Sequence, residues 1–369
     1  MEQLIAPIKA LYAELTTRGN KFCYPFVYSD KEGDYYAYIM GLITAYVKRV
    51  KQLDNQTVMV LNHAFDGLPS EDKPKKEFDF LRDVDALSHL VQEVLSDCFR
   101  NYHDDAYQKL KQFFEADECF YLNMLPRLEI KSAPLYRIRT GSFDKTNDGE
   151  IFHIPFEKRH LVASQRYSVP GYPILYLAGS FFTAWCEMDK PDLIGLSYAG
   201  FQFKEAEYFI DLSYPYRLTE LWEWYSLFVM YPLLMACMVR VKNPSAPFKP
   251  EYLMPQMMTK LVREHGSLFK GIVYMSNKIP ESASLESFSS RNFAVLTHNN
   301  ICLKGHDKDL AERMRMTDIQ TITREQVRES VKFEDNKFEI DFKKLLSYGS
   351  LHMRDISVKM EVGTVGHIK

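Results

Sequence analysis

The spacing of apolar residues changes once along this 369-residue chain, between residues 130 and 134, and the change points to an α+β fold. Before it, apolar residues recur every three to four positions, as on one face of a helix. Leu4, Ile5, Ile8, Leu11, Tyr12 and Leu15 form one such stripe. Tyr36, Ile39, Met40, Ile43, Tyr46, Val47 and Val50 form a second, with Asp34 placed as its N-cap. Leu87, Leu90, Val91, Val94, Leu95 and Cys98 form a third, which Leu110, Phe113 and Phe114 extend or follow with a fourth. After the boundary, strand-like runs interleave with helical ones. Residues 134–139, 173–178, 207–212, 271–276 and 292–297 are short, β-branched or aromatic, and bounded by turn residues. The run 271–276 is apolar on both faces and is expected near the middle of its sheet. Residues 252–264 read as an amphipathic helix stopped by Gly266. Thr323-Arg324-Glu325-Gln326 is a capping box, and 337–343 alternates as an edge strand does. The expected organisation is a helical accessory domain over 1–131, an α+β domain over 132–310, and a helix/strand extension over 311–369 packing on it.

Charge and composition narrow the function classes. A net charge of −3 argues against a general nucleic-acid binder, which carries a basic excess. The six cysteines are scattered, with no CxxC pair, so they read as reduced core residues of a cytoplasmic protein. No metal-ligand spacing is present, and no metal site is expected. The N-terminus lacks the pattern of a signal peptide. The most apolar stretch, 227–239, has 13 residues, whereas a spanning helix needs roughly 20, so one or two buried helices are expected there and no membrane span.

Residues 164–188, SQRYSVPGYPILYLAGSFFTAWCEM, hold the candidate chemistry. An arginine precedes a Val-Pro-Gly turn, a short strand carries a tyrosine, and a helix after Ala-Gly-Ser ends on a glutamate. Arg166, Tyr176 and Glu187 are ten and eleven residues apart. Each has an ordinary explanation by itself: a surface arginine, a core tyrosine, a solvent-facing helix glutamate. Each also suits a ligand. Arginine is a forked phosphate donor. A tyrosine at a strand end can stack on a planar base. A carboxylate beside aromatics can stabilise a cationic sugar centre. Ser276 closes the run Gly271-Ile272-Val273-Tyr274-Met275-Ser276, at a strand end where ligand-facing residues sit.

The ordered set of Arg137 after Leu135-Tyr136, Arg166, the Tyr176 strand, the helix to Glu187, and the strand to Ser276 resembles the RES-domain family over less than half of the chain. That resemblance implies a mixed β core with flanking helices, similar to ADP-ribosyltransferases, and an activity that degrades NAD in toxin–antitoxin pairs. It implies Glu187, Arg166 and Ser276 as catalytic residues: Glu187 on the ribose and its developing charge, Arg166 on the pyrophosphate or ribose, and Ser276 orienting nicotinamide or ribose. It implies Tyr176 and Arg137 as substrate-binding residues. NAD would be the substrate rather than a cofactor, the acceptor water or phosphate. A neutralising antitoxin or immunity protein would be a partner, and a homo-oligomer is left open. An ADP-ribosyltransferase acting on a macromolecule and a non-catalytic nucleotide- or partner-binding scaffold are the alternatives. Two features depart from the family. Ser164-Gln165 stands where glycines are usual, and Tyr167-Ser168 where an aromatic-Asn pair is usual.

Overall fold

The computed structural model describes residues 2–69, 73–74, 76–145, 147–213, 218–279, 287–297, 303–334, 337–347, 352–357 and 360–362. Cys302 lies outside them. The chain forms two compact units. The first gathers Met1–Arg127 with Ile210–Leu261, and the second Leu128–Phe209 with Val262–Lys369.

The first unit opens with helices α1 (Glu2–Thr16), α2 (Tyr35–Val50), α3 (Asn55–Asn62), α4 (Phe80–Phe99) and α5 (His103–Met124). The three sequence stripes fall on α1, α2 and α4, and the Asp34 carboxylate caps α2 by accepting from the Ala37 N–H. The chain then builds strands β1 (Arg127–Ile130), β2 (Leu135–Thr140) and β3 (Ile174–Ala178), helix α6 (Phe181–Glu187), and strands β4 (Leu196–Phe203) and β5 (Glu207–Asp211). It returns to the first unit for α7 (Leu221–Met238) and most of α8 (Leu253–Glu264).

That return corrects the expected continuous domain over 132–310. α7 has no polar face, and all 15 residues from Trp224 to Met238 are buried. A helix apolar all round must be enclosed on every side, and α2, α3 and α4 supply that enclosure. The stretch expected as one or two helices is a single one with Pro232 inside it. Proline has no N–H to give to the carbonyl four residues back. The Tyr46 hydroxyl donates to that carbonyl, Phe228 O, at 2.7 Å instead. Among the described residues α7 is the one helix long and apolar enough to cross a membrane, and 83% of that span is buried inside the fold.

The second unit continues with β6 (Gly271–Met275), β7 (Arg291–Leu296), β8 (Leu303–Gly305), α9 (Lys308–Arg313), β9 (Met314–Met316) and β10 (Gln320–Thr321). It ends with α10 (Arg324–Ser330), β11 (Val331–Glu334), β12 (Lys337–Ile340), α11 (Phe342–Ser347), β13 (Arg354–Asp355) and β14 (Met360–Val362). Its large sheet has the order β1-β5-β6-β7-β3-β2-β4-β9-β13, with β10 also on β4. The pairs β6–β7, β7–β3, β3–β2 and β2–β4 in that path are antiparallel. The fold is thus α+β with a helical N-terminal region, as the periodicity indicates. The C-terminal residues are part of the sheet as well as packed on it, through β9, β10 and β13. Arg354 fastens them: its guanidinium bonds both oxygens of the buried Asp148 at 2.5 and 2.7 Å and Asp318 at 2.6 Å. The capping box of α10 forms as expected. The edge strand expected over 337–343 ends at Ile340, and α11 begins two residues later.

One sheet face carries Leu135, Leu175, Leu177, Ala199, Phe201, Val273, Phe293 and Val295 into a common core with Ile151 and Phe152. His153, fully buried, adjoins that core. Its Nε2 accepts from the Asp307 N–H at 2.8 Å, so the ring is neutral, with the proton on Nδ1 facing Ile154 O. Burial first, then the nearby His306 and Arg137, push His153 down to about 3 from the usual 6.5. The folded value is below the unfolded one, so the unfolded chain binds the extra proton. Stability is whole above pH ~6.5 and falls as pH drops toward ~3. The expected loss by pH 4 is up to about 3 kcal/mol. Denaturant titrations from pH 7 to pH 4 should show that slope, and His153→Gln should flatten it.

Candidate active site

The face of the sheet opposite that core carries the polar residues. Cross-strand partners in an antiparallel pair share a face. The register aligns Tyr274 with Asn292 and Asn292 with Ala178. Tyr176, two residues before Ala178, and Ser276, two beyond Tyr274, continue the same face. Helix α6 lies over it, packed through Phe181 and Ala184 against Ile138, Ala178 and Tyr198.

Local chemistry fixes where α6 ends, and so where Glu187 sits. Ser180 is the N-cap, its Oγ accepting from the Thr183 N–H. The Ser180 and Thr183 hydroxyls both donate to Ser289 O, at 2.9 and 2.6 Å, and the Gly179 N–H donates to Arg291 O at 2.8 Å. Gly179 is required by space: a Cβ there would stand 2.1 Å from Phe288 O. Gly179→Ala should therefore displace the start of α6, costing about 1–3 kcal/mol in thermal unfolding and moving Glu187. At the other end, Asp189 and Lys190 take left-handed φ values of 61° and 54°. The Lys278 ammonium holds this turn, donating to Glu187 O at 2.9 Å and Asp189 Oδ1 at 2.8 Å. A cation there also complements the partial negative charge at a helix C-terminus.

Glu187 and Ser276 are brought together directly. Ser276 Oγ donates to Glu187 Oε1 at 2.5 Å, and Asn292 Nδ2 donates to the same oxygen at 2.7 Å. Ser276 is fully buried and Asn292 is 3% exposed. Among the described residues Glu187 Oε2 accepts no hydrogen bond, so one carboxylate oxygen is anchored and the other is not.

Arg166 and Tyr176 join them around Tyr274. Burial above all, then the Glu187 carboxylate and the Tyr176 and Tyr167 hydroxyls, hold the Tyr274 hydroxyl well above its usual range, with Arg166 pulling the other way. The Tyr167 and Tyr274 rings are 4.7 Å apart. Arg166 precedes the Val-Pro-Gly turn, as the sequence suggests, and also lies within a tighter turn of its own. Gln165 and Ser168 exchange backbone hydrogen bonds at 2.8 and 3.2 Å, making Arg166 and Tyr167 the two tip residues of a tight hairpin. Both tip side chains are buried, Arg166 at 8% exposure. A separate turn follows, with Pro170 and a left-handed Gly171 at its centre and a Tyr172 N–H to Val169 O bond closing it.

Arg137 stands apart. It is out of phase with Tyr136, on the side of β2 that carries Leu135 and Arg139. Burial, then Arg139, push its guanidinium down to about 10, and its charge acts on His153. Its Nη1 reaches Tyr176 only through the backbone oxygen, at 3.4 Å. The structure therefore gathers Glu187, Ser276, Tyr176 and Arg166 and leaves Arg137 on the other face. Asn292 and Tyr274 are additions that the sequence reading did not place in the site. A polar residue early in an otherwise apolar strand was the available signal for Asn292. No group of three or more His, Cys, Asp or Glu side chains is gathered to hold a metal among the described residues.

In comparisons with known proteins, the chain is similar to "Putative toxin YopC" of Bacillus subtilis (strain 168), 30% identical over 200 residues. The match covers 50% of this chain and 45% of that protein, so the chain spans about half the length of the curated relative it matches. No family model and no solved structure matches it.

Proposed function

We propose that this chain is a toxin of the RES-domain type that cleaves the nicotinamide–ribose bond of NAD. The observation that carries this reading is the anchored carboxylate: Glu187 Oε1 held by Ser276 and Asn292 at 2.5 and 2.7 Å, with Oε2 accepting no hydrogen bond among the described residues. The similarity to a protein named as a putative toxin supports the biological class.

The chemistry follows from the residue types. The C1′–N bond breaks with its electron pair going to the nicotinamide nitrogen, leaving an oxocarbenium-like ribosyl centre. Water attacks C1′ and loses a proton, giving ADP-ribose; with phosphate as acceptor the product is the ADP-ribosyl phosphate. A fixed carboxylate lowers the cost of the developing positive charge because it needs no reorganisation as the charge appears. Arg166 is assigned to the pyrophosphate and Tyr176 to the nicotinamide face. Arg137 has no part in this pocket. Toxicity implies a neutralising partner protein, and the intracellular NAD pool implies a cytoplasmic site of action.

The test is incubation of purified protein with NAD, read by mass spectrometry. Free nicotinamide with ADP-ribose or its phosphate supports the reading and names the acceptor. Labelled ADP-ribose trapped on a macromolecule would make the chain a transferase. NAD binding without nicotinamide release, even with cell extract added, would make it a scaffold.

A further inference from the structure

Asn292 carries a role that neither motif spacing nor similarity assigns. It sits on β7, opposite Tyr274 on one side and Ala178 on the other. Its neighbours along the strand, Phe293 and Val295, enter the core on the other face. Burying an amide at 3% exposure costs free energy unless it is hydrogen-bonded, and its Nδ2 bond goes to Glu187 Oε1. An ionised carboxylate only accepts, so the amide must turn its NH₂ toward Glu187.

We infer that Asn292 is the positioning residue of this site: with Ser276 it forms a two-donor clamp on Glu187 Oε1 that fixes the carboxylate and aims Oε2 at the substrate. The two donors come from different strands, 276 at the end of β6 and 292 in β7, so the clamp fixes both the position and the plane of the carboxylate. A single donor would leave rotation about that bond. The kinetic consequences of this role rest on the NAD-cleaving reading; the spectroscopic one does not.

Two variants test it, with folding checked by circular dichroism and thermal melting. Asn292→Leu removes the donor at similar volume. The expected result is a fall in kcat of about 10–100-fold with a much smaller change in KM. Asn292→Asp keeps the shape but sets two carboxyls in hydrogen-bond contact, and such a pair shares a proton. Its activity should be lower than wild type near neutrality. Its infrared spectrum should gain a protonated-acid band relative to wild type, shifted by isotopic labelling of glutamate. If wild type cleaves NAD and Glu187→Gln does not, but Asn292→Leu keeps kcat within about twofold, the positioning role is overturned while the activity stands. If wild type cleaves no NAD, the activity reading fails. The infrared band then decides the clamp separately: its absence in folded Asn292→Asp overturns the inference.

Discussion

Glu187→Gln should lower kcat/KM for NAD cleavage by about 100–1,000-fold, the loss seen when one preorganised electrostatic stabiliser is removed. The substitution conserves shape, and its oxygen can still accept from Ser276 and Asn292, now at 2.5 and 2.7 Å from Glu187 Oε1. What it lacks is the negative charge, and what it presents to the substrate in place of Oε2 is a donor. The cost therefore falls on the transition state, where positive charge appears at C1′, and KM should change little. Stability should shift by less than about 1 kcal/mol, because no packed volume is lost. The measurement is steady-state release of nicotinamide beside a denaturant melt. Retention of more than about a tenth of the wild-type rate in a folded variant would remove Glu187 from the role of charge stabiliser.

How far this site could be read from the sequence differs residue by residue. The strand ending before Gly179 and the helix after Ala-Gly-Ser were legible because their signals are local. The contact of Glu187 with Ser276 was legible only as a resemblance, since 89 residues separate them. Asn292 and Tyr274 acquire meaning only through register: they meet because β6 and β7 pair as they do. β4 was not recognised as a strand, and its burial explains why. Seven of its eight residues are buried, so both faces are covered and the alternation that marks a strand is absent. α7 illustrates the same limit for helices. Its composition shows that it is buried, but a helix without a polar face says nothing about which neighbours bury it, and residues 210–261 were assigned to the wrong unit for that reason. Arg137 shows the reverse case. Alternation along β2 puts it opposite Tyr136, a phase that motif order ignores.

The second large effect lies in the first unit, at Asp83. This carboxylate is 1% exposed and accepts from the Tyr225 hydroxyl at 2.6 Å, the Tyr121 hydroxyl at 2.9 Å and the Lys76 ammonium at 3.0 Å. Lys76 also stands 4.7 Å over the Phe120 ring and 4.4 Å over that of Tyr121. Burial first, then Asp83, hold both tyrosine hydroxyls above their usual range, so they stay protonated as donors. The cluster secures a costly piece of backbone. α5 is interrupted just before Tyr121, where Asp117, Glu118 and Cys119 have φ of 49°, 57° and 62°. Left-handed non-glycine residues cost roughly 1–2 kcal/mol each. Asp83→Ala would strand one ammonium and two hydroxyls in the interior and release the segment that carries Tyr121. The expected loss is about 3–5 kcal/mol, as for breaking one partner out of a buried ionic network. A urea titration would show it as a large drop in midpoint. Combining Asp83→Leu with Lys76→Met, Tyr121→Phe and Tyr225→Phe should recover much of the loss, since an apolar replacement strands no polar group. If Asp83→Ala alone costs under about 1 kcal/mol, these hydrogen bonds are replaced by water on mutation, and the left-handed segment must be held by the packing of Phe120 and Tyr121 instead.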